Sequence, residues 1–313
     1  MQQAEGGAKE KIFNQAFKVG LEVNRRKRAG QSVPLPLSLQ HGLFDKLVFS
    51  KVRERFGGRV RFFISGAAAL NQEIAEWFNA AGILILEGYG MTENAAGATV
   101  NHPDHYKMGT VGPALPGAEV KIGENDEVLL RGPHVMAGYH NLPEASAESV
   151  DGQGWLHTGD IGDLDERGFL RITDRKKDLF KTSGGKYVAP SAIEAMFKGV
   201  CPYASQLVVH GDGRNFVSGL VTLDPEAMAG WAEEHDMAGT SYAEVVTSPA
   251  VREMVAGYVD ELNAKLNRWE TIKKFVILPR DLSVEEGDLT PSMKLKRGVV
   301  TAKYRQELNS LYS

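Results

Sequence analysis

The sequence lacks the features that would stabilise a small secreted domain or anchor a chain in a membrane. Cys201 is the only cysteine, which excludes a disulfide within the chain and argues against a thiolate metal cluster. No apolar run approaches the roughly 18 residues that span a bilayer, and the first residues have neither the basic nor the apolar stretch of a signal peptide. We therefore expect a cytoplasmic protein.

A strong excess of one charge sign is also absent. The chain of 313 residues has 36 Lys and Arg against 40 Asp and Glu, a formal net charge of −4. This balance argues against a nucleic-acid binder that depends on neutralising phosphates. Glycine, in contrast, is abundant, with 34 residues. Most of the excess lies between positions 82 and 219, where it predicts tight turns and loops that can approach a ligand.

The first third alternates helical and strand patterns. The predicted elements are helix 8–28, helix 41–55, strand 59–64, helix 72–81 and strand 83–86. Pro34 and Pro36 separate the first two helices, and Asn71 caps the third. The alternation predicts an α/β fold with a parallel sheet. Since ligands bind at the carboxyl ends of strands in such sheets, the loops that begin at Ser65 and Gly88 are candidate binding loops.

From about residue 110 the apolar period drops to two, which predicts a small β subdomain. Its elements are a hairpin of 119–122 with 127–131 and strands near 155–157 and 168–172. The charged segment 174–178 suits a linker. A compact α+β domain is predicted beyond it, with helix 190–198, strands 205–210 and 215–223, helices 225–236 and 249–267, strand 274–278 and helix 296–310. Residues 284–293 are predicted to form an exposed mobile loop.

Common nucleotide and hydrolase motifs are missing. The sequence has no Gly-x4-Gly-Lys-Ser/Thr loop, no Gly-x-Gly-x-x-Gly that opens a helix and no Gly-x-Ser-x-Gly elbow. His102 and His105 do not form a zinc helix, because Pro103 lies between them and their spacing is wrong.

Five other segments combine residue types that can perform chemistry. They are 43–70, 87–93 (Glu-Gly-Tyr-Gly-Met-Thr-Glu), 155–160 (Trp-Leu-His-Thr-Gly-Asp), 174–194 and 289–297 (Leu-Thr-Pro-Ser-Met-Lys-Leu-Lys-Arg). In this order and spacing, the chain resembles the carboxyl-terminal half of an acyl-CoA synthetase of the adenylate-forming (ANL) superfamily. Within it, the chain is most similar to long-chain fatty-acid–CoA ligases of actinobacterial style. The resemblance covers essentially all residues, and segments 43–70 and 181–190 favour the long-chain branch.

The resemblance implies a domain organisation and one large departure. It implies that 1–109 is part of the αβ lobe of the large adenylation domain, 110–174 a small β subdomain, 175–178 a hinge and 179–313 a mobile C-terminal domain. Family members are longer and carry an upstream Ser/Thr/Gly-rich loop, ending in Pro-Lys-Gly, that holds the ATP phosphates. No such segment is present. We therefore expect a fragment that is inactive alone and lacks much of the acyl tunnel.

Around the nucleotide base, the resemblance implies roles for two loops. Tyr89 would stack on adenine, since a flat aromatic ring suits a purine face. Gly66 and Ala67 would line the adenine site through their backbone. Gly88 and Gly90 would allow the backbone to approach the ligand closely.

At the phosphates and the ribose, the resemblance implies polar contacts. The Thr92 hydroxyl would donate to the α-phosphate, and Glu93 would hold Mg²⁺, a cation that prefers carboxylate and phosphate oxygens. Asp160 would accept both ribose hydroxyls. Arg175 would reach the same ribose or the phosphate.

The C-terminal domain would supply the moving parts. Lys294 would be the catalytic lysine of adenylation, although Lys296 is only two residues away. Lys177 would be the hinge about which the domain turns between two poses. Gly184 and Gly185 would line the channel for the pantetheine arm of coenzyme A.

The implied reaction joins a fatty acid to coenzyme A at the expense of ATP, with acyl-AMP as the intermediate. Two alternatives stay open. One is an acyl-AMP ligase or adenylation domain that delivers to a carrier protein, and the other is a catalytically incompetent fragment that binds nucleotide or coenzyme A. No nucleic-acid partner is expected, and the lipid substrate leaves peripheral contact with the inner face of the membrane open. Oligomeric state and acyl chain length are not readable from the sequence.

Overall fold

A computed structural model describes residues 7–313; the start of the chain, where no signal peptide is expected, lies outside the described residues. The chain divides into two compact units. The first comprises residues up to Thr158 together with 162–172, and the second comprises 159–161 together with 173–313. Among the described residues, no helix is both long and apolar enough to cross a membrane.

The regular elements are as follows. The helices are α1 Ala8–Arg28, α2 Leu35–Phe44, α3 Ser50–Glu54, α4 Gln72–Ala80, α5 Pro143–Ser149, α6 Pro190–Val200, α7 Pro225–Glu234, α8 Tyr242–Val246, α9 Pro249–Asn263, α10 Arg297–Lys303 and α11 Arg305–Ser310. The strands are β1 Phe63–Ser65, β2 Ile85–Tyr89, β3 Thr99–Val100, β4 Glu119–Ile122, β5 Glu127–Arg131, β6 Leu156–Leu164, β7 Leu170–Arg175, β8 Phe180–Lys181, β9 Tyr187–Val188, β10 Ala204–His210, β11 Val217–Leu223 and β12 Ile272–Ile277.

The first unit begins with a three-stranded sheet in the order β1-β2-β3. Strands β1 and β2 are parallel, which confirms the predicted α/β arrangement, with Ser65 opposite Glu87. Asn71 caps α4 as predicted, because its side chain accepts a hydrogen bond from the backbone N–H of Ile74 at 3.1 Å. Strand β1 has only three residues and begins four residues later than the predicted strand.

Helix α1, predicted at 8–28, packs against α4 through aromatic side chains. The rings of Phe17 and Trp77 stack with centroids 4.1 Å apart, and Phe49 meets Phe17 edge-on at 5.2 Å. A Cβ atom on Gly20 would lie 2.9 Å from the carbonyl oxygen of Ala80, so a glycine is what lets α1 and α4 approach. This aromatic contact holds α1 against α4.

Helix α2 differs from the sequence-based expectation. It begins directly after Pro34 and carries Pro36 in its first turn, whereas helical structure was predicted only from residue 41. Proline suits the first turn of a helix because the N–H groups there have no partner within the helix. A π-helical turn at 45–49 continues α2 into α3. Four leucines at intervals of four residues stay between 52% and 72% exposed along this stretch: Leu35, Leu39, Leu43 and Leu47.

A four-stranded sheet with the order β4-β5-β6-β7 follows. The predicted hairpin is confirmed: β4 and β5 pair antiparallel, with Glu119 opposite Arg131. Val128, Leu130 and Leu156 are buried in the core beneath the sheet. Strands β6 and β7 are longer than predicted, and each has three residues in the second unit, 159–161 of β6 and 173–175 of β7.

The second unit contains the two-stranded sheet β8-β9 and a three-stranded sheet, β10-β11-β12, that is covered on both faces. Strand β11 is antiparallel to β10 and parallel to β12. Since alternate residues of a strand point to opposite faces, Leu207 and Val209 join the core with α6, α7, α8 and α9, whereas Val208 joins the core with α10 and α11. All seven residues of β11 are buried.

Two segments predicted as exposed are partly buried. Asp288 and Leu289, within the predicted loop 284–293, have almost no exposed surface. The Asp288 carboxylate accepts hydrogen bonds from Arg280 Nη1 at 2.9 Å and Lys303 Nζ at 3.2 Å, which explains how the charge tolerates burial. Asp174, in the predicted linker, is buried in β7, and the predicted helix 296–310 breaks at Tyr304.

Candidate active site

Gly66 and Gly88, two of the glycines predicted at the adenine site, lie close together near the ends of parallel strands. A Cβ atom on Gly66 would lie 3.5 Å from the carbonyl oxygen of Gly88, which is van der Waals contact. Ala67, the next residue, is exposed and has a positive φ of 68°. The backbone here therefore turns sharply away from β1 and leaves the edge above Gly66 open.

In the loop after β2, only glycine fits at position 90. A Cβ atom on Gly90 would lie 2.2 Å from the carbonyl oxygen of Ala96, a distance that side chains do not reach. Ala95 and Ala96 both have positive φ values, 53° and 78°, which alanine rarely adopts. The segment from Gly90 to Ala96 is thus a tight, strained loop, and backbone strain of this kind clusters at ligand sites.

Tyr89 is half-buried. Its backbone pairs with Thr99 of β3, and its side chain packs at the edge of the core that includes Ala98. The ring therefore packs against apolar side chains and stays partly exposed to solvent.

Thr92 and Glu93 lie on a short 3₁₀ turn within this loop, with Thr92 exposed. The Glu93 carboxylate accepts a hydrogen bond from the Tyr139 hydroxyl at 2.9 Å, and the Glu93 carbonyl oxygen accepts one from the Met136 N–H at 2.7 Å. The hydrogen bond to Glu93 raises the pKa of Tyr139 above its ordinary value. Tyr139 was missed in the sequence, because no motif marks it and it is 46 residues away.

Two further polar groups in this region were also missed. The Asn94 side chain is fully buried; its Oδ1 accepts from the Met91 N–H at 2.6 Å, while its Nδ2 has no hydrogen-bond partner within the described residues. The Glu87 carboxylate is buried and accepts from the Leu70 N–H at 3.2 Å. Burial raises the pKa of Glu87. The one signal for Glu87 in the sequence is that it is a charged residue inside an otherwise apolar strand.

In the second unit, the two residues predicted to hold ribose are in contact. Asp160 is only 5% exposed, and its carboxylate accepts a hydrogen bond from Nε of Arg175 at 3.0 Å. The Arg175 side chain is exposed. The pair therefore presents an oriented carboxylate and a guanidinium from neighbouring strands.

Gly184 and Gly185 lie at the tip of the hairpin formed by β8 and β9. The Thr182 N–H donates to the Lys186 carbonyl oxygen at 3.0 Å and closes the turn. Both glycines are exposed, Gly185 has a φ of 75°, and a Cβ atom on it would meet nothing within 4 Å. The hairpin tip is therefore narrow and free of side-chain bulk.

Lys294 lies on a second small hairpin, in which Leu289 and Leu295 form the bridge. The Thr290 N–H donates to the Lys294 carbonyl oxygen at 2.8 Å, and the Lys294 N–H donates to Oγ1 of Thr290 at 3.0 Å. The Lys294 ammonium is exposed and forms no ion pair with any residue between 7 and 313. Lys296, in contrast, is half-buried at the start of α10.

The donor set fits a magnesium ion that arrives with phosphate ligands. Within residues 7–313, no group of three or more His, Cys, Asp or Glu side chains could hold a metal. Glu93 is a single carboxylate, and proteins often hold Mg²⁺ through one or two carboxylates together with substrate phosphates.

Comparisons with protein families cover both parts of the chain. Residues 21–140 match the family described as AMP-binding enzyme, and residues 177–313 match the AMP-binding enzyme C-terminal domain. The chain belongs to the AMP-binding enzymes, the family whose adenylate-forming fold the sequence predicted.

Individual relatives have names that state a particular enzyme activity. The chain is 39% identical over 280 residues to the long-chain-fatty-acid–CoA ligase FadD15 of Mycobacterium tuberculosis, a match that covers 89% of this chain and 46% of FadD15. It is 35% identical to human long-chain-fatty-acid–CoA ligase 6, with 97% of this chain and 46% of that protein covered. The chain thus spans about half the length of these curated relatives.

The fold recurs in solved structures. The adenylation domain of a carboxylate reductase from Mycobacterium chelonae superposes with a TM-score of 0.68 at 24% identity, covering 96% of this chain and 45% of that domain. This likeness confirms the mixed α/β adenylate-forming fold.

Proposed function

We propose that this chain forms the adenine-binding loops and the C-terminal unit of an ATP-dependent long-chain fatty acid–CoA ligase. The observation that carries the proposal is the close approach of Gly66 to Gly88, where a Cβ atom on Gly66 would lie 3.5 Å from the Gly88 carbonyl oxygen. This approach lies where the parallel strands β1 and β2 end, and Tyr89–Glu93 follows at once. The relatives named as long-chain ligases support the choice of a fatty acid as the carboxylate substrate.

In the proposed first step, the fatty acid carboxylate attacks the α-phosphate of ATP, which gives acyl-AMP and pyrophosphate. Tyr89 stacks on adenine, with Gly66, Ala67, Gly88 and Gly90 forming the backbone around it. Little covalent chemistry falls to the protein, so positioning and charge stabilisation supply the rate.

Charged and polar side chains stabilise this transfer in the proposal. The exposed Thr92 hydroxyl donates to the α-phosphate. The Lys294 ammonium, which has no competing carboxylate among residues 7–313, offsets the developing negative charge. Asp160 accepts from the ribose hydroxyls, with Arg175 alongside. Glu93 would hold Mg²⁺, which neutralises phosphate charge when bound.

In the proposed second step, the thiol of coenzyme A attacks the acyl carbonyl and displaces AMP. The bare turn at Gly184 and Gly185 admits the pantetheine arm. The segment 175–178 acts as the hinge, with Lys177 as its turning point. It joins the β subdomain 110–174, which follows the αβ lobe 1–109, to the mobile domain 179–313. A cytoplasmic location with peripheral contact to the inner face of the membrane is part of the same proposal.

The test is fatty-acid-dependent exchange of labelled pyrophosphate into ATP with Mg²⁺. It should be run on the 313-residue chain and on a chimera in which this chain replaces the matching part of FadD15. Exchange by the chimera, lost on Tyr89→Ala, supports the proposal. A folded chimera without exchange contradicts it, and exchange by the chain alone would refute the expectation that it is inactive by itself.

The acceptor is tested separately. With preformed acyl-AMP, the chimera is offered either coenzyme A or a phosphopantetheinylated carrier protein. Thioester formation on coenzyme A supports the ligase. Transfer to the carrier alone would favour the carrier-dependent alternative, and binding of nucleotide with no transfer would favour the incompetent fragment.

A further inference from the structure

The second unit contains a pocket of about 370 Å³ that none of the candidate active-site residues lines. Two arginines, Arg214 and Arg305, contribute to its polar lining, together with His210, Thr301 and Asn309. Arg214 lies in the turn between β10 and β11, and Arg305 begins α11. A cavity of this volume falls within the range that small-molecule sites occupy.

The guanidinium of Arg214 is held in place before any ligand arrives. Its Nη2 donates to Oδ1 of Asn309 at 2.5 Å, and the group lies over the ring of Tyr312, 4.7 Å from the centroid. The Tyr312 hydroxyl is itself hydrogen-bonded to Ser218 at 2.8 Å. A side chain fixed in this way loses little conformational entropy on binding.

The positive charge in the pocket has no contacting counter-ion in the part of the chain that the structure describes. Within residues 7–313, neither Arg214 nor Arg305 forms an ion pair, whereas Arg280 and Arg297 of the same unit each contact a carboxylate. Burial and then the charge of Arg214 lower the pKa of His210, with Asp212 acting in the opposite sense. The pocket is therefore electropositive at neutral pH and suited to an anion.

We propose that this pocket binds a phosphate group, recognised by the guanidinium forks of Arg214 and Arg305. The planar fork matches phosphate oxygens in geometry and charge. Thr301 belongs to α10, the helix that follows the Lys294 hairpin, so a bound phosphate contacts the element to which that hairpin connects. The site goes beyond the proposed function, because no residue of the adenylation site takes part.

The experiment is isothermal titration of sodium phosphate into the 313-residue chain at constant ionic strength. Saturable binding is expected, and Arg214→Gln and Arg305→Gln should each weaken it at least about tenfold. Arg252→Gln removes one positive charge outside the pocket and should leave binding unchanged. Absence of saturable binding, or binding by both pocket variants as tight as that of the unmodified chain, overturns the proposal.

Two further measurements make the test independent of how well the variants fold. Phosphate should shift the imidazole NMR signals of His210 in the unmodified chain, and an unshifted signal at saturating phosphate overturns the proposal. Competition then separates the sources of the phosphate. Displacement by pyrophosphate alone supports a free anion, displacement by AMP also supports a nucleotide phosphate, and displacement by neither overturns the site. Because none of these readouts needs turnover, failure here leaves the proposed ligase activity untouched.

Discussion

Arg297 and Glu194 form a two-point ion pair that ties the segment after Lys294 to helix α6. Arg297 Nη1 lies 2.7 Å from one carboxylate oxygen of Glu194, and Nη2 lies 2.8 Å from the other. The first of these oxygens also accepts from the Val209 N–H at 2.8 Å. Both side chains are largely buried, so the pair connects α6, β10 and the Lys294 hairpin in one network.

Removing one partner of this pair should destabilise the second unit. Arg297→Met leaves the Glu194 carboxylate buried without a counter-ion, and we expect the free energy of unfolding to fall by about 3–5 kcal/mol. Urea denaturation measures the change. The double variant Glu194→Gln with Arg297→Met removes both charges and should recover part of the loss. A loss below about 1 kcal/mol for Arg297→Met would show that the pair is not structural.

Gly90→Ala should disturb the loop after β2. The added Cβ would lie 2.2 Å from the Ala96 carbonyl oxygen, and relief of that overlap should cost about 1–3 kcal/mol of unfolding free energy. AMP binding, followed by fluorescence, should weaken in parallel. Gly152→Ala is the matched control, since a Cβ there meets nothing within 4 Å. Equal behaviour of the two variants would contradict the close approach.

Lys294→Ala should lower adenylation in the chimera by about 10²- to 10³-fold, the range for loss of one charge-stabilising group. Thioester formation from supplied acyl-AMP should change far less. The unfolding free energy should not change, because the side chain is exposed. Lys296→Ala is the comparison variant. A larger loss of adenylation for Lys296→Ala, or equal loss in both half-reactions for Lys294→Ala, would refute the assigned role.

Lys177→Pro should spare adenylation and impair thioester formation, because proline fixes a torsion that the proposed rotation needs. The Lys177 N–H donates no hydrogen bond within the described residues, so the substitution removes none. Single-turnover assays of each half-reaction separate the two effects, with Lys177→Ala as control. Unchanged overall turnover would remove Lys177 as the hinge.

Cys201 should be inert in the folded chain. Burial raises the pKa of its thiol from the ordinary value of 9 to about 11, so the neutral form persists where an exposed thiol ionises. Since the unfolded thiol ionises first, this group's contribution to stability is lost as the pH rises from about 9 to about 11. Reaction with a disulfide reagent at pH 8 should await denaturation by urea. Rapid labelling of the folded chain would contradict the burial.

The sequence was most informative where pattern and local chemistry coincide. Asn71 and the hairpin of β4 and β5 could be predicted because capping and alternation are local signals. The burial of Asp288 could not, because its partners Arg280 and Lys303 come from segments 8 and 15 residues away and an acid-rich stretch ordinarily lies in water. The Tyr139–Glu93 contact was hidden for the same reason.

The same distinction between local signals and contacts of distant segments applies to the candidate site. Gly66, Gly88, Asp160 and Lys294 were found because they lie in motifs, and the structure brings Gly66 next to Gly88 and Asp160 next to Arg175. The roles assigned to them stay predictions. The pocket at Arg214 carries no motif, since its residues come from the end of β10, the turn after it and two helices that only folding assembles.

The exposed leucines of α2 and of the π-helical turn after it affect how the purified chain behaves in solution. Side chains at intervals of four form one ridge along a helix, and a ridge of this kind is a site of association in concentrated solution. A preparation of this polypeptide should therefore be retained by hydrophobic chromatography media. Holdase chaperones should also recognise it, because they bind apolar surface left open to water.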